Sequence, residues 1–216
     1  MEQVLKKKKP KSLTDTLRAL FKNVLDPIAI LLVNLGFKPN MITLLGLVGH
    51  IIAAYLVSRG LFIWGAIVII LMGPLDAVDG AMARYLGEVT TFGAFLDSIT
   101  DRYSELILFG GLLFYYMQQS NWLICGLIYL SAAGSILVSY TRARAEALGF
   151  DAKIGLLTRV ERYLVLVPGM LFNYVQVAIW IMAIFTNFTA LQRIYYVRRQ
   201  SRQAKTLEQQ VHSDEQ

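Results

Sequence analysis

The chain has 216 residues, 56% of them hydrophobic, and its mean hydropathy of +0.50 is too high for an ordinary soluble domain of this length. Its formal net charge of +6 arises from Lys and Arg gathered beside apolar runs rather than interleaved with stacking aromatics, which excludes nucleic acid and favours anionic lipid headgroups as partners. A single cysteine, Cys125, excludes an intrachain disulfide and argues against zinc, and the two histidines, His50 and His212, add no ligand set.

Residues 1–11 carry Lys6, Lys7, Lys8, Lys9 and Lys11 around Pro10 and read as a basic disordered tail, with no cleavable signal peptide. Residues 12–36 read as an interfacial amphipathic helix, with Ser12 as N-cap and Leu17, Leu20, Phe21, Val24, Leu25 and Ile28 opposite Arg18, Lys22 and Asn23. Residues 37–200 read as one membrane domain of six helices, near 41–58, 62–86, 92–118, 121–148, 153–174 and 175–199. Residues 201–216 form a polar C-terminal tail. The fold class is thus an all-α integral membrane protein with six transmembrane helices preceded by an interfacial helix. The Lys-rich start, Arg84, the 142–162 stretch and Arg198, Arg199 and Arg202 face the cytoplasm, whereas the loops near 118–121 and 172–175 hold no Lys or Arg, and Arg59 is a single exception. Pro74 is expected to kink the second helix, and Gly110, Gly111, Ala132, Ala133 and Gly134 offer close helix contacts, within or between chains.

The chemistry gathers between residues 73 and 101. Asp76, Asp79, Asp97 and Asp101 lie in segments that otherwise read as spans, and a charge at bilayer depth costs roughly 2.5–3.5 kcal/mol even on a lenient scale. One such aspartate is as readily a structural hydrogen-bond partner; four at these spacings point to a cation site. Asp76, Asp79, Gly80, Ala83 and Arg84 share a helix face roughly 140° wide, and Gly93, Asp97 and Asp101 share a face of the next helix. A short turn makes the two helices antiparallel, so all four carboxylates meet near the cytoplasmic end. Hard oxygen donors without His or Cys favour magnesium, manganese or calcium. Two such cations would hold a pyrophosphate between them. Gly80, Ala83 and Gly93 leave room for a bulky ligand, and Arg84 supplies a fixed cation for a phosphate.

The run Asp76-x-x-Asp79-Gly80-x-x-Ala83-Arg84, eight residues, Gly93-x-x-x-Asp97-x-x-x-Asp101 resembles the signature of the CDP-alcohol phosphotransferase (CDP-alcohol phosphatidyltransferase) family at every fixed position, and Pro39-Asn40-x-x-Thr43 is similar to the family's nucleotide-side segment. The resemblance spans most of residues 25–200. It implies a six-helix membrane fold with a cytoplasm-facing cavity, a CDP-diacylglycerol-like donor, CMP as leaving product, two divalent cations (magnesium or manganese) and a homodimer. By the same resemblance Asp76, Asp79 and Asp97 ligate metal, Asp101 ligates or acts as the base, and Asn40, Thr43, Gly80, Ala83 and Arg84 contact the CDP moiety.

A second, basic cluster bears on the acceptor. Ser139-Tyr140-Thr141-Arg142-Ala143-Arg144-Ala145-Glu146 ends the fourth span, and Arg159-Val160-Glu161-Arg162 is expected two to three turns into the fifth. Arginine forks suit an acceptor that already carries phosphate, although Arg142 is equally a helix-end partner of Glu146 at i, i+4. The cluster resembles the family branch that uses inositol phosphate, the phosphatidylinositol phosphate synthases, with Arg142 where that branch has Lys. This resemblance implies acceptor contacts from Arg142, Arg159, Arg162 and Arg193, the last with Arg198 or Arg199 as alternatives. Glycerol phosphate, the acceptor of phosphatidylglycerophosphate synthases, is the competing choice. Divalent-cation transport is the alternative of another class, and a catalytically silent relative kept as a scaffold is a third.

Overall fold

The computed structural model of the protein describes residues 25–214, with side chains to residue 203. Eight helices follow in chain order: α1 (Leu25–Asn34), α2 (Pro39–Ser58), α3 (Phe62–Met72), α4 (Leu75–Leu86), α5 (Thr91–Gln118), α6 (Trp122–Ala147), α7 (Arg159–Leu171) and α8 (Val175–Asp214). No strand occurs among the described residues. The expected basic tail and residues 12–24 of the expected interfacial helix lie outside the described part; the remainder forms α1, whose Ala29 packs with Ile42 of α2 and Val78, Ala81 and Met82 of α4.

Among the described residues, four segments are long and apolar enough to cross a membrane: Pro39–Ser58, Phe62–Leu86, Trp122–Ala147 and Val175–Gln203. The other two expected spans depart from that pattern for different reasons. Helix α5 has ample length at 28 residues, but Asp97, Asp101, Arg102 and Glu105 interrupt its apolar character. Helix α7 has only 13 residues, about 20 Å at about 1.5 Å per residue, against a hydrocarbon core of about 30 Å.

The helix of the expected span at 153–174 thus starts later, at Arg159, and ends at Leu171. Residues 151–158 are irregular and pinned to α8, where the Leu157 amide donates to Thr189 Oγ1 at 3.1 Å, and Leu157 and Ala152 are buried. Thr158-Arg159-Val160-Glu161 then opens the helix, with the Thr158 hydroxyl bonded to the Glu161 carboxylate. Such a T-x-x-E run is a helix-start signal. Arg159 and Arg162 therefore sit in the first turn of α7, not two to three turns inside a span.

The helix is interrupted where Pro74 is expected to kink it. Helix α3 ends at Met72 and α4 starts at Leu75, because Pro74 has no N–H to continue the ladder; the Val78 amide resumes it by donating to Pro74 O at 3.1 Å. Helix α4 stops at Gly87, which adopts φ +68°, with the Glu88 amide donating to Ala83 O at 3.0 Å. Thr90 caps α5 by accepting from the Gly93 amide at 3.0 Å. This tight turn reverses the chain, and α2 packs against both α4 and α5.

Helix α2 packs chiefly on α5, and α6 on α8. The main core joins α2, α3, α5, α6, α7 and α8 through residues such as Val57, Ile69, Leu108, Leu112, Ile128, Met170 and Ile179. Two expected small-residue contacts fall within the chain: Gly111 lies against the Ala54 backbone of α2, and Gly134 lies against Thr186 of α8. Gly110, by contrast, faces open space. Large apolar side chains such as Leu31, Trp64, Leu71, Tyr129, Ile184 and Leu191 cover the outside. An outer surface this apolar suits lipid rather than water.

Candidate active site

Helix α4 carries Asp76 and Asp79 and helix α5 carries Asp97 and Asp101, and α2, which packs against both, together with the Gly87–Thr90 turn sets how the two pairs face each other. Asp76, Asp97 and Asp101 each present a carboxylate oxygen within 4.8 Å of the others. Asp79, one turn further along α4 and buried, accepts a hydrogen bond from Thr43 Oγ1 of α2 at 2.5 Å. The first helix of the bundle thereby reaches the acidic faces of the second and third. Gly46 comes equally close: a Cβ there would stand 3.8 Å from Asp76 Oδ1. The donor set is all oxygen and mutually close, which fits a hard divalent cation.

The other expected donor-side residues surround these acids. Arg84 folds back over Gly80, where a Cβ would meet Arg84 Nη1 at 3.3 Å. Asn40 Oδ1 lies 3.5 Å from the Cβ position of Gly93, at the α5 N-terminus. Thr43 is committed to Asp79, and Ala83 is half-buried on the same α4 face. Asn40, Thr43, Gly80, Ala83 and Arg84 therefore border one region at the end of α2, α4 and α5.

The four expected acceptor arginines have different environments. Arg159 bridges the acidic cluster, with Nη1 2.5 Å from Asp101 Oδ2 and Nη2 bonded to Asp76 Oδ2. Arg102 adds a longer contact, Nη1 to Asp101 Oδ2 at 3.6 Å. Arg162 is only 2% exposed and donates from Nε to Glu105 Oε1 at 2.5 Å and from Nη2 to Glu105 Oε2 at 2.9 Å, a bidentate buried pair. Arg193, also buried, donates from Nε to Ile154 O at 2.7 Å and from Nη1 to Val138 O. Arg142 is exposed and pairs with Glu146 at 3.0 Å, the i, i+4 alternative read from the sequence. Arg193 is in electrostatic range of Arg142 and Arg162 and of Glu146 and Glu161, so a basic group exists beside the acids, but each of its guanidinium groups already has a protein partner.

Three participants were not selected from the sequence. Glu105 continues the stripe Asp97, Asp101 by one more turn on α5 and compensates Arg162. His50, set aside above, is buried: its Nδ1 lies 2.8 Å from Gly46 O and its Nε2 lies 3.1 Å from the Tyr163 hydroxyl. The carbonyl can only accept, so Nδ1 carries the proton and Nε2 accepts from Tyr163. Tyr163 in turn lies under Arg159, whose guanidinium carbon is 6.0 Å from its ring centroid. The stripe spacing pointed to Glu105; no local pattern pointed to His50 or Tyr163.

Comparison with known proteins agrees with this geometry. The sequence profile of the family described as CDP-alcohol phosphatidyltransferase matches residues 37–190. A phosphatidylinositol phosphate synthase of Streptomyces avermitilis is 39% identical over 203 residues, covering 87% of this chain and 83% of that protein. An archaetidylinositol phosphate synthase of Pyrococcus horikoshii is 36% identical over 185 residues, covering 85% of this chain and 95% of that one. The crystal structure of Mycobacterium tuberculosis phosphatidylinositol phosphate synthase with CDP-DAG bound has a TM-score of 0.77 and 31% identity, covering 81% of this chain and 94% of that chain. A crystal structure of that enzyme in complex with manganese and citrate gives a TM-score of 0.76 at 32% identity, covering 80% and 88%. The chain belongs to the CDP-alcohol phosphatidyltransferase family.

Proposed function

We propose that the protein transfers a phosphatidyl group from CDP-diacylglycerol, or a similar CDP-lipid, to a phosphorylated polar alcohol, inositol phosphate, and releases CMP. The observation that carries this reading is the convergence of Asp76, Asp97 and Asp101 within 4.8 Å, inside the complete two-helix motif. Asp76, Asp79, Asp97 and Asp101 would hold two divalent cations, magnesium or manganese, which supply Lewis-acid polarisation of the donor diphosphate.

The protein's own groups do the rest. Thr43 fixes the Asp79 carboxylate, Arg84 offers its guanidinium to a donor phosphate, and Asn40, Gly80 and Ala83 border the space for the cytidine end. Asp101 takes the proton of the acceptor hydroxyl as that oxygen attacks the phosphatidyl phosphorus. The bond from this phosphorus to the CMP oxygen breaks, and CMP leaves with the electron pair. Arg142 and Arg159, both reachable from outside, meet the acceptor phosphate. Arg162 and Arg193 support them through Glu105 and the carbonyls of Ile154 and Val138.

The relatives' names support the acceptor: the phosphatidyl- and archaetidylinositol phosphate synthases differ in the lipid part of the name and share inositol phosphate. The same basic group suits glycerol phosphate as a second reading. Cation transport is disfavoured, because beyond Glu105 the α5 face continues as the apolar core of Leu108, Phe109 and Leu112. In the membrane, α5 forms a fifth crossing and α7 a sixth, the short α7 spanning the width only together with the irregular residues 151–158 packed on α8 ahead of it; α1 belongs to the interfacial helix, and the active site opens on the cytoplasmic face, the side to which Arg84, Arg142, Arg144, Lys153 and Arg198 assign it. The active unit is a homodimer, which sedimentation in detergent tests. Acceptor choice is tested by CMP release with inositol phosphate, glycerol phosphate and free inositol compared. Release with inositol phosphate alone is expected, and release with glycerol phosphate alone overturns the acceptor assignment.

A further inference from the structure

We propose that Arg159 is a built-in competitor of the divalent cations: its guanidinium holds the Asp76 and Asp101 oxygens that would bind a cation, so cation binding displaces it. The inference rests on the metal-site reading above and adds to it a named protein group that metal must move. Arg159 Nη1 stands 2.5 Å from Asp101 Oδ2, and Nη2 is bonded to Asp76 Oδ2, so one planar fork spans helices α4 and α5. A divalent cation held by Asp76 and Asp101 and this fork draw on the same two carboxylates, and like charges repel at such separations.

The surroundings give the guanidinium a fixed ring beneath it without sealing it in. Arg159 is the first residue of α7, so its side chain leaves the helix end and crosses to the other two helices. One turn later Tyr163 lies under the guanidinium, at 6.0 Å from carbon to ring centroid. Tyr163 is tied to α2 through His50, by the 3.1 Å contact to Nε2 and the 2.8 Å contact from Nδ1 to Gly46 O. The group is not sealed in, since the Arg159 side chain is 31% exposed. Arg162, one turn away, has bonds to Glu105 and to Leu157 O and no exposure to turn into. Arg102 approaches Asp101 from outside at 3.6 Å and donates to Ser98 O at 2.5 Å, so it stays beside Asp101 when Arg159 leaves. Arg159 thus pins α4, α5 and α7 together before metal arrives and sets the affinity that metal must exceed.

The test is manganese binding by the full-length protein in detergent, measured by titration calorimetry, for wild type, Arg159→Gln and Arg159→Lys. Removal of the competitor should tighten manganese binding about tenfold in Arg159→Gln, a typical size for coupling between two sites. Arg159→Lys keeps the charge without the fork and should fall between. Without manganese, Arg159→Gln should unfold at a lower temperature than wild type, and saturating manganese should close that gap. A purely structural arginine would lower stability without tightening metal. Wild-type binding with equal or weaker affinity in Arg159→Gln overturns the competition alone. If that variant does not fold, affinity in Arg159→Lys no tighter than wild type overturns it. No manganese binding by wild type overturns the metal-site reading and the competition together.

Discussion

Glu105→Leu is the substitution whose consequence follows most directly from the packing. Glu105 pairs with Arg162 through both carboxylate oxygens, at 2.5 and 2.9 Å, and Arg162 is 2% exposed. The neighbouring side chains are Leu108, Phe109, Tyr163, Leu166 and Met182, mostly apolar, around a cavity of about 10 Å³, hardly one water in size. With Glu105 gone, the contact to Leu157 O at 3.4 Å is the hydrogen bond that remains to the guanidinium among the described residues, beside a cavity with hardly room for one water. Breaking a buried pair in this way costs about 3–5 kcal/mol. At about 2–4 °C per kcal/mol for a chain of this length, the unfolding midpoint should fall by about 6–20 °C. Glu105→Gln, which keeps one acceptor and the shape, should lose less. The double variant Glu105→Leu with Arg162→Met removes both charges and should regain most of the loss, since the surrounding wall is mostly apolar. Thermal unfolding of the detergent-solubilised protein, followed by circular dichroism, reads all four proteins. A midpoint for Glu105→Leu within about 2 °C of wild type, or a double variant no better than the worse single one, would refute the reasoning.

Two further expectations concern the packing around the site. Gly111→Ala would drive a methyl group into the backbone of Ala54, with Ala54 Cα at 2.9 Å, and should destabilise by about 1–3 kcal/mol, whereas Gly110→Ala meets nothing within 4 Å and should be neutral or slightly stabilising. Equal behaviour of the two neighbours in a thermal melt would contradict the α2–α5 contact. Thr43→Val leaves the buried Asp79 carboxylate without its 2.5 Å donor and should cost about 1–3 kcal/mol, while Thr43→Ser keeps the hydroxyl and should stay near wild type. Equal losses in both would point to packing rather than the hydrogen bond.

The acidic site was legible because helical spacing alone decides which residues share a face. Asp76 and Asp79 on one helix, and Asp97 and Asp101 on the next, are brought together by the turn that Gly87 and Thr90 form and by α2, which packs against both helices. The apolar runs likewise located α2, the α3–α4 pair, α6 and α8. What escaped the sequence depends on distant partners. Arg162 was read as a ligand for substrate phosphate, but its charge is met by Glu105, 57 positions earlier. His50 looked idle because Tyr163, its partner, is 113 positions away. The start of α7 was misplaced for a local reason, since Ile154, Leu156 and Leu157 extend the apolar run upstream of the Thr158-x-x-Glu161 start signal.

The most direct test of the central claim is CMP release from CDP-diacylglycerol and inositol phosphate by the purified protein, with and without manganese, in wild type and in Asp97→Asn and Asp101→Asn. The carboxylate cluster predicts release by wild type that stops on chelation and returns with manganese, and a loss of at least about a hundredfold in each variant, the scale expected when a proton acceptor or metal ligand is removed. Full activity in either variant, or release that ignores chelation, would contradict the account.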